Sequence, residues 1–143
     1  MRREACLSLS LNSYSEDMVS LIKLFIKTGW TFRNNRMEYL PPNDRGMFNW
    51  QSEELSYEKL FSVILQKQQT YELIGVCLYR ENTDIGITLL AESAKKISLL
   101  LNINRKTIAQ DFTDISWYIA NTAAELEQNG CVVENLEYCE YLG

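Results

Sequence analysis

Hydrophobic and polar residues alternate at the start of the chain, which is typical of a half-buried β-strand. The apolar positions are Ala5, Leu7, Leu9 and Leu11, and the positions between them are Cys6, Ser8 and Ser10. Apolar residues then recur at helical spacing from Met18 to Ile26, and Gly29 suits a left-handed turn that ends a helix. The run Ser13-Tyr14-Ser15-Glu16 before this helix matches a capping box.

The middle of the chain predicts two short strands and a second helix. The strands cover 29–32 and 37–40, joined by the turn pair Asn34-Asn35, and Pro41-Pro42 ends the second strand. The stretch from Asn43 to Glu54 has no regular pattern. A helix is predicted over 56–68, with four apolar residues facing inward: Leu60, Phe61, Val63 and Ile64.

Three further strands, at 73–79, 85–91 and 97–103, are separated by short turns and predict an antiparallel meander. A third helix is predicted from Asp111 or Thr113 to Gln128, and Asn129-Gly130 is a stop signal. Its core-facing stripe is Ile115, Tyr118, Ile119, Thr122 and Leu126. The final segment, 131–142, predicts an edge strand, although the spacing of its acids suits a short helix equally well.

This order of elements predicts one α+β domain over residues 1–143, with a mostly antiparallel central sheet and about three helices packed on it. Nine residues are expected in its core: Leu9, Ile22, Phe25, Val76, Leu78, Ile87, Leu101, Ile119 and Leu126.

Charge is divided unevenly along the chain. Residues 107–143 hold seven carboxylates and no Lys or Arg, whereas the preceding residues hold 12 acids and 14 bases. The body therefore contributes +2 and the end −7 to the net charge of −5. Because aromatic and apolar residues are threaded through this acidic end, it predicts a folded surface that attracts cationic partners and repels phosphate. We therefore expect a basic protein partner and no nucleic acid.

The chemistry available to the chain is limited because it contains no histidine. Ser-His and Cys-His nucleophile arrangements are excluded, and the commonest general base near neutral pH is missing. The four cysteines are far apart without a C-x-x-C pair, which favours buried, reduced thiols over zinc ligands. No G-x-x-x-x-G-K or D-x-D-x-D run occurs. We expect no catalytic residues, no metal and no cofactor.

The expected compartment is the cytoplasm. The start of the chain alternates like a strand instead of forming an apolar signal-peptide region. No apolar run approaches the roughly 20 residues that cross a bilayer, so no membrane partner is expected.

The third helix carries the first candidate partner site. A step of about 100° per residue places Trp117 opposite the predicted core stripe, beside Asp114 and Asn121. An outward tryptophan ringed by polar groups is typical of a binding anchor. Asp111 lies at the same helix start, where acids also offset the helix dipole. A covering layer over Trp117 is the alternative.

The C-terminal segment carries the second candidate site: Glu134, Glu137, Tyr138, Glu140 and Tyr141. Acids interleaved with aromatic residues can imitate the phosphates and stacked bases of a nucleic acid. A solvated, charged edge strand is the alternative. The irregular loop with Asp44, Phe48 and Trp50 either folds back on the core or makes contacts, and it is the next interface candidate.

Four segments resemble the immunity proteins of bacterial polymorphic-toxin and contact-dependent growth inhibition systems: G-W-T-F at 29–32, I-G-V-C-L at 74–78, L-L-L-N-I-N-R-K at 99–106 and F-T-D-I-S-W-Y at 112–118. This resemblance implies an α+β protein that binds one cognate toxin domain, often a nuclease, and blocks it. It leaves open whether the chain is a monomer or a dimer, and whether it occludes an active site or another surface.

Two other classes stay open. The chain is similar in size and acidity to type III secretion chaperones, although those begin with a helix. The run from Ile74 to Leu90 resembles the central hairpin of N-acyltransferases, but the R/Q-x-x-G-x-G/A turn that binds their cofactor is absent. An enzyme of that kind without the usual motif is the last alternative.

Overall fold

The computed structural model of the protein describes residues 2–12, 16–33 and 36–143. The predicted capping residues Ser13 to Ser15 and the predicted Asn34-Asn35 turn lie outside this described part. The α+β class is confirmed: a mostly antiparallel eight-stranded sheet carries helices against one face.

The strands of the described part are β1 (Arg3–Asn12), β2 (Trp30–Thr31), β3 (Arg36–Tyr39), β4 (Gln51–Glu54), β5 (Ile74–Arg80), β6 (Gly86–Ser93), β7 (Lys96–Ile103), β8 (Thr107–Ile108), β9 (Phe112–Thr113) and β10 (Val132–Leu142). The helices are α1 (Met18–Lys27), α2 (Tyr57–Gln69), α3 (Ile115–Asn121) and α4 (Ala123–Gln128). The main sheet has the order β10-β1-β7-β6-β5-β3-β4, and β2 pairs with β5. A separate two-stranded ribbon, β8-β9, connects β7 to α3.

In the described part, α1, α2 and α3 begin at side chains that accept a hydrogen bond from a free backbone N–H, whereas α4 has no such cap. Asp17 accepts from Val19 N at the start of α1, and Ser56 accepts from Lys59 N at the start of α2. The third predicted helix is broken at Thr122, whose φ of −127° and ψ of −82° interrupt the helix between α3 and α4. The continuous helix predicted up to Gln128 is therefore wrong at this residue.

The core lies between one face of the sheet and the helices. The buried set of β1 is Ala5, Leu7, Leu9 and Leu11, as the alternating pattern predicts. Of the nine predicted core residues, Ile119 alone is only partly buried. The opposite face, which we call the open face, carries the other residues of each strand, including the half-buried Cys6 and Ser8 on β1 and the buried Cys77 and Thr88 near the middle of the sheet. Within the described part, the core-forming residues of all four helices belong to the cluster on the first face.

The irregular stretch after Pro42 contains a strand that the sequence pattern does not reveal. β4 pairs with β3 and forms one edge of the sheet, while β10 forms the other. Trp50 lies against the sheet at Gly75, where an added Cβ would lie 2.9 Å from its ring, but it stays 37% exposed and does not join the core cluster, so the prediction that it folds back on the core is wrong. The same stretch leaves Met47 and Phe48 exposed. No helix in the described ranges is both long and apolar enough to cross a membrane.

Candidate functional site

The C-terminal segment is an 11-residue edge strand, so the predicted strand is confirmed and the alternative helix is wrong. β10 pairs with β1 in antiparallel register from Arg3↔Leu142 to Asn12↔Val132, with an irregularity between Ser10 and Leu11. At about 3.4 Å per residue this edge is about 37 Å long. We call the outer side of β10 with its exposed side chains the acidic edge.

Strand alternation divides the predicted C-terminal site between two faces. Glu137 and Tyr141 lie opposite Ser8 and Glu4 and so belong to the open face. Tyr138 and Glu140 lie opposite Leu7 and Ala5 and so belong to the helix-covered face. Glu134 lies beside the irregularity in the pairing and is exposed. The prediction that all five side chains form one surface is therefore wrong.

Glu140 binds groups of its own chain. Its Oε2 lies 3.3 Å from Arg3 Nη1, while its Oε1 accepts the backbone N–H of Thr113 at 3.3 Å and a short hydrogen bond from the Tyr138 hydroxyl. The distance between Glu140 Oε2 and Arg3 Nη1 is that of an ion pair, but the two groups are not aligned for a hydrogen bond. Burial alone would raise the pKa of Glu140, but the bonds from Tyr138 and Thr113 and the charge of Arg3 lower it overall. This carboxylate links β10 to β1 and β9 rather than serving as a free rim charge.

The two aspartates predicted for the partner site also have partners within the chain. Asp111 Oδ1 pairs with Arg105 Nη2 at 2.9 Å, and the same guanidinium donates to Asp111 O and to Thr113 Oγ1. Asp114 is the N-cap of α3 and accepts from Trp117 N at 3.3 Å. Asp111 keeps much of its side chain in solvent, whereas Asp114 is half-buried. Each aspartate therefore has a local structural role.

Trp117 does not lie on an outward face, so that prediction is wrong. The side chain is half-buried, packs against the core, and meets the fully buried Trp30 edge to face with ring centroids 6.3 Å apart. Tyr118 forms a second edge contact with it at 4.9 Å. Asn121 belongs to the same cluster: its carbonyl accepts Trp30 Nε1 at 2.8 Å, and its side-chain amide donates to Trp117 O at 2.8 Å. The alternative interpretation, in which other residues cover Trp117, therefore describes its position: Trp30 and Tyr118 pack against the ring.

The exposed side chains of β10 remain as the candidate contact surface. The acids are Glu134 and Glu137, and the large exposed residues are Val132, Tyr138, Tyr141 and Leu142. Tyr141 and Leu142 expose 52% and 55% of their surface. A hydrogen bond to the Glu4 carboxylate raises the pKa of Tyr141, which keeps its hydroxyl protonated. Sequence reasoning missed Val132 and Leu142, although their position on an edge strand could have suggested them.

The backbone of β10 also presents unpaired groups. Gly143 N donates to Arg2 O at 2.8 Å, which identifies Arg2 and Gly143 as a hydrogen-bonded pair. Because such pairs alternate along an antiparallel ladder, the residues between them turn their N–H and C=O away from β1. In the described part these outward residues are Leu136, Tyr138, Glu140 and Leu142. No backbone hydrogen bond from another described segment reaches these four.

Two other polar features lie outside the acidic edge. Lys67 is fully buried; its Nζ donates to Leu40 O at 3.0 Å, and burial lowers its pKa. Asp44, also buried, accepts the backbone N–H groups of Phe48 and Asn49 at 2.9 and 3.0 Å. These contacts hold the loop at positive φ values, including 54° at Phe48, so they fix its shape.

A cleft of about 290 Å³ lies at the end of β1 and is lined by Arg2, Arg3 and Arg105. Its arginines do not make it a strong anion site, because Arg3 and Arg105 are already paired with Glu140 and Asp111. Among the described residues, no group of three or more potential metal ligands comes together.

All four cysteines are free. The prediction that they are buried holds for Cys77 and Cys131, whereas Cys6 is half-buried and Cys139 is exposed. The exposed position of Cys139 follows from its place on the edge strand.

Comparisons with protein-family models, curated proteins and solved structures found no match for this chain.

Proposed function

We propose that the protein is a cytoplasmic immunity protein that binds and neutralises a basic toxin domain through the acidic edge. The observation that carries this proposal is the long, exposed outer edge of β10, where unpaired backbone groups, carboxylates and large apolar side chains occur together. The proposal replaces the helix-centred site expected from the sequence, since Trp117, Asp114 and Asn121 contact their own chain.

The charge of this region favours a basic partner. All the net negative charge of the protein lies after Lys106. Asp111 and Glu140 are paired with arginines, so the exposed carboxylates of β10, Glu134 and Glu137, are the ones free to attract a partner. Charges at the rim of an interface mainly accelerate association and set its salt dependence.

The backbone of β10 favours a partner that supplies an extended strand. A strand added to a sheet edge gains main-chain hydrogen bonds, while side chains at alternate positions determine specificity. The outward N–H and C=O groups of Leu136, Tyr138 and Glu140 provide such a ladder. Tyr141 and Leu142 expose apolar surface to solvent, and an added strand that removes this surface from water would gain binding free energy.

The same charge disfavours a second copy of the chain as the occupant. Pairing two β10 strands would bring together strands that each hold three carboxylates, Glu134, Glu137 and Glu140, and no Lys or Arg. Charges on an edge strand are a common protection against self-association. A foreign strand rich in Lys or Arg meets no such repulsion and is therefore the partner that we propose.

Co-expression with the product of the neighbouring upstream gene tests this function. We expect the wild-type chain to co-purify with that product and to restore the growth of cells that express it. Replacing Glu137 with Lys should slow association by about threefold to tenfold at low salt, with a smaller effect at high salt. The domain should stay folded, because Glu137 is exposed.

Glu54→Lys is the matched control, since Glu54 is an exposed acid on β4 at the opposite edge of the same sheet. We expect this variant to bind and rescue like the wild type. Equal losses in both variants would assign the effect to net charge alone. A failure of the wild-type chain to rescue cells from the toxic product would reject the immunity function.

A further inference from the structure

Two cysteines lie directly opposite each other on the terminal strands. The register of β1 and β10 pairs Cys6 with Cys139. Both belong to the open face, because the neighbours of Cys6 in β1, Ala5 and Leu7, point into the core. Cys139 is exposed and Cys6 is half-buried, so a small molecule in solvent can reach the pair.

The geometry of this pair allows a disulfide bond. Counting by two from the hydrogen-bonded pair Arg2 and Gly143 makes Cys6 and Cys139 a hydrogen-bonded pair as well. The Cα atoms of such a pair lie about 5.5 Å apart, inside the range of about 4.4 to 6.8 Å found in disulfides. In a hydrogen-bonded pair the Cβ atoms lie toward the upper end of the cross-strand range of about 4.5 to 5.5 Å, which is more than about 1 Å beyond the disulfide average of about 3.8 Å.

Closing the bond therefore requires a small movement of β10 toward β1. β10 can make this movement because, in the described part, β1 is the only strand that pairs with it. A disulfide closed under strain is more easily reduced than a relaxed one. The geometry therefore favours a bond that opens and closes with the thiol balance of the surroundings.

The other two cysteines cannot take part without unfolding. Cys77 shares the open face but lies on β5, the third strand from β1 in the sheet order, at a distance of about 14 Å from Cys6. Burial raises its pKa to about 11. Cys131 is buried, and burial raises its pKa too. These thiols serve as internal controls.

We propose that Cys6 and Cys139 form a reversible cross-strand disulfide by exchange with a small-molecule disulfide such as oxidised glutathione. The thiolate of Cys139 attacks one sulfur of the small disulfide and releases the first small thiolate. The thiolate of Cys6 then attacks the Cys139 sulfur of the mixed disulfide and releases the second. Two protein thiols are thereby oxidised to one disulfide, and one small disulfide is reduced to two thiolates, which take up the two protons that the protein thiols lose.

The bond would tie β10 covalently to β1 and hold the acidic edge on the sheet. Burial raises the pKa of the Cys6 thiol, the contact with Ser8 at 4.0 Å opposes this rise, and the neighbouring Cys139 adds to it. The inference rests on the cysteine pair alone and requires no partner, so its outcome is separate from that of the immunity function.

The reduced full-length chain, incubated in mixtures of reduced and oxidised glutathione, tests the proposal. Alkylation followed by peptide mass spectrometry should find Cys6 linked to Cys139, and an excess of reduced glutathione should remove the link. Cys139→Ser should abolish the link, whereas Cys77→Ser should leave it unchanged. We expect the oxidised chain to melt about 5 °C or more above the reduced chain.

Three results would overturn the proposal. One is a folded wild-type chain that yields no linked peptide, or only a mixed disulfide with glutathione at Cys139. Another is a linkage that includes Cys77 or Cys131. The third is a Cys6–Cys139 link that persists in excess reduced glutathione, which would make the bond structural instead of reversible.

Discussion

Replacing Trp117 with Ala should destabilise the fold. The sequence places this side chain on an outward face, where its loss would weaken partner binding by about 2 kcal/mol or more and leave the domain folded. The structure instead packs it against Trp30 and Tyr118. An outward Trp117 predicts unchanged stability of the isolated chain after this substitution, whereas a packed Trp117 predicts a loss of stability.

The magnitude follows from the contacts. Truncating a well-buried Trp or Phe to Ala costs about 3 to 5 kcal/mol. Trp117 is only half-buried, which reduces that value, but each edge-to-face pair is worth about 0.5 to 1.5 kcal/mol beyond the buried area. We therefore expect a loss of about 2 to 3 kcal/mol in the free energy of unfolding. In a chain of this length such a loss lowers the melting temperature by about 5 to 15 °C.

Urea unfolding followed by far-ultraviolet circular dichroism measures this loss without relying on tryptophan fluorescence. Trp117→Phe is the matched control, since it keeps a ring beside Trp30, and it should cost less than half as much. Glu137→Lys should leave the stability nearly unchanged. If Trp117→Ala lowers the free energy of unfolding by less than about 0.5 kcal/mol, the ring does not stabilise the core, and Trp117 is again a candidate partner contact.

Three further predictions concern groups that hold the site in place. Tyr118→Phe should cost about 1 to 3 kcal/mol in urea unfolding, because the fully buried hydroxyl accepts Lys106 N–H at 2.9 Å and its loss leaves that donor unpaired. Glu140 stabilises the fold when ionised, because its pKa is lower in the folded chain than the ordinary value of 4.5. The free energy of unfolding should therefore fall as the pH drops through 4.5 and below, and Glu140→Gln should make it depend less on pH in this range. Gly75→Ala should lower the melting temperature, because the added Cβ would lie 2.7 Å from Leu40 Cδ1; an unchanged temperature would mean that this side chain moves freely.

The elements that could be predicted from the sequence are those with a strong local pattern. Alternation identifies β1 and β7, and helical spacing identifies α1 and α2, because in each case one face is buried. β6 also alternates in sequence, although it is buried on both faces over most of its length. The short strands β4, β8 and β9 have too few residues to show a period. Their existence depends on pairing with distant segments, which a local pattern does not contain.

The site was harder to predict because it depends on register and on contacts between elements. The spacing of the acids in β10 does not show which of them face Arg3, so Glu140 could not be separated from Glu137 before the pairing with β1 was known. Helical periodicity places Trp117 only relative to the core stripe of its own helix. The apolar neighbour that covers it, Trp30, comes from β2, and helical periodicity contains no information about that contact.

Amide hydrogen exchange along β10 tests the central proposal most directly. In the free chain, the outward amides of Leu136, Tyr138 and Glu140 should exchange quickly, while amides bonded to β1, such as that of Cys139, exchange slowly. When the chain is saturated with the toxin domain captured in the rescue assay, the outward amides should become as slow as their neighbours, because a partner strand now accepts their hydrogen bonds. If these amides keep their free-chain rates in the complex while another surface becomes protected, the acidic edge is not the binding site.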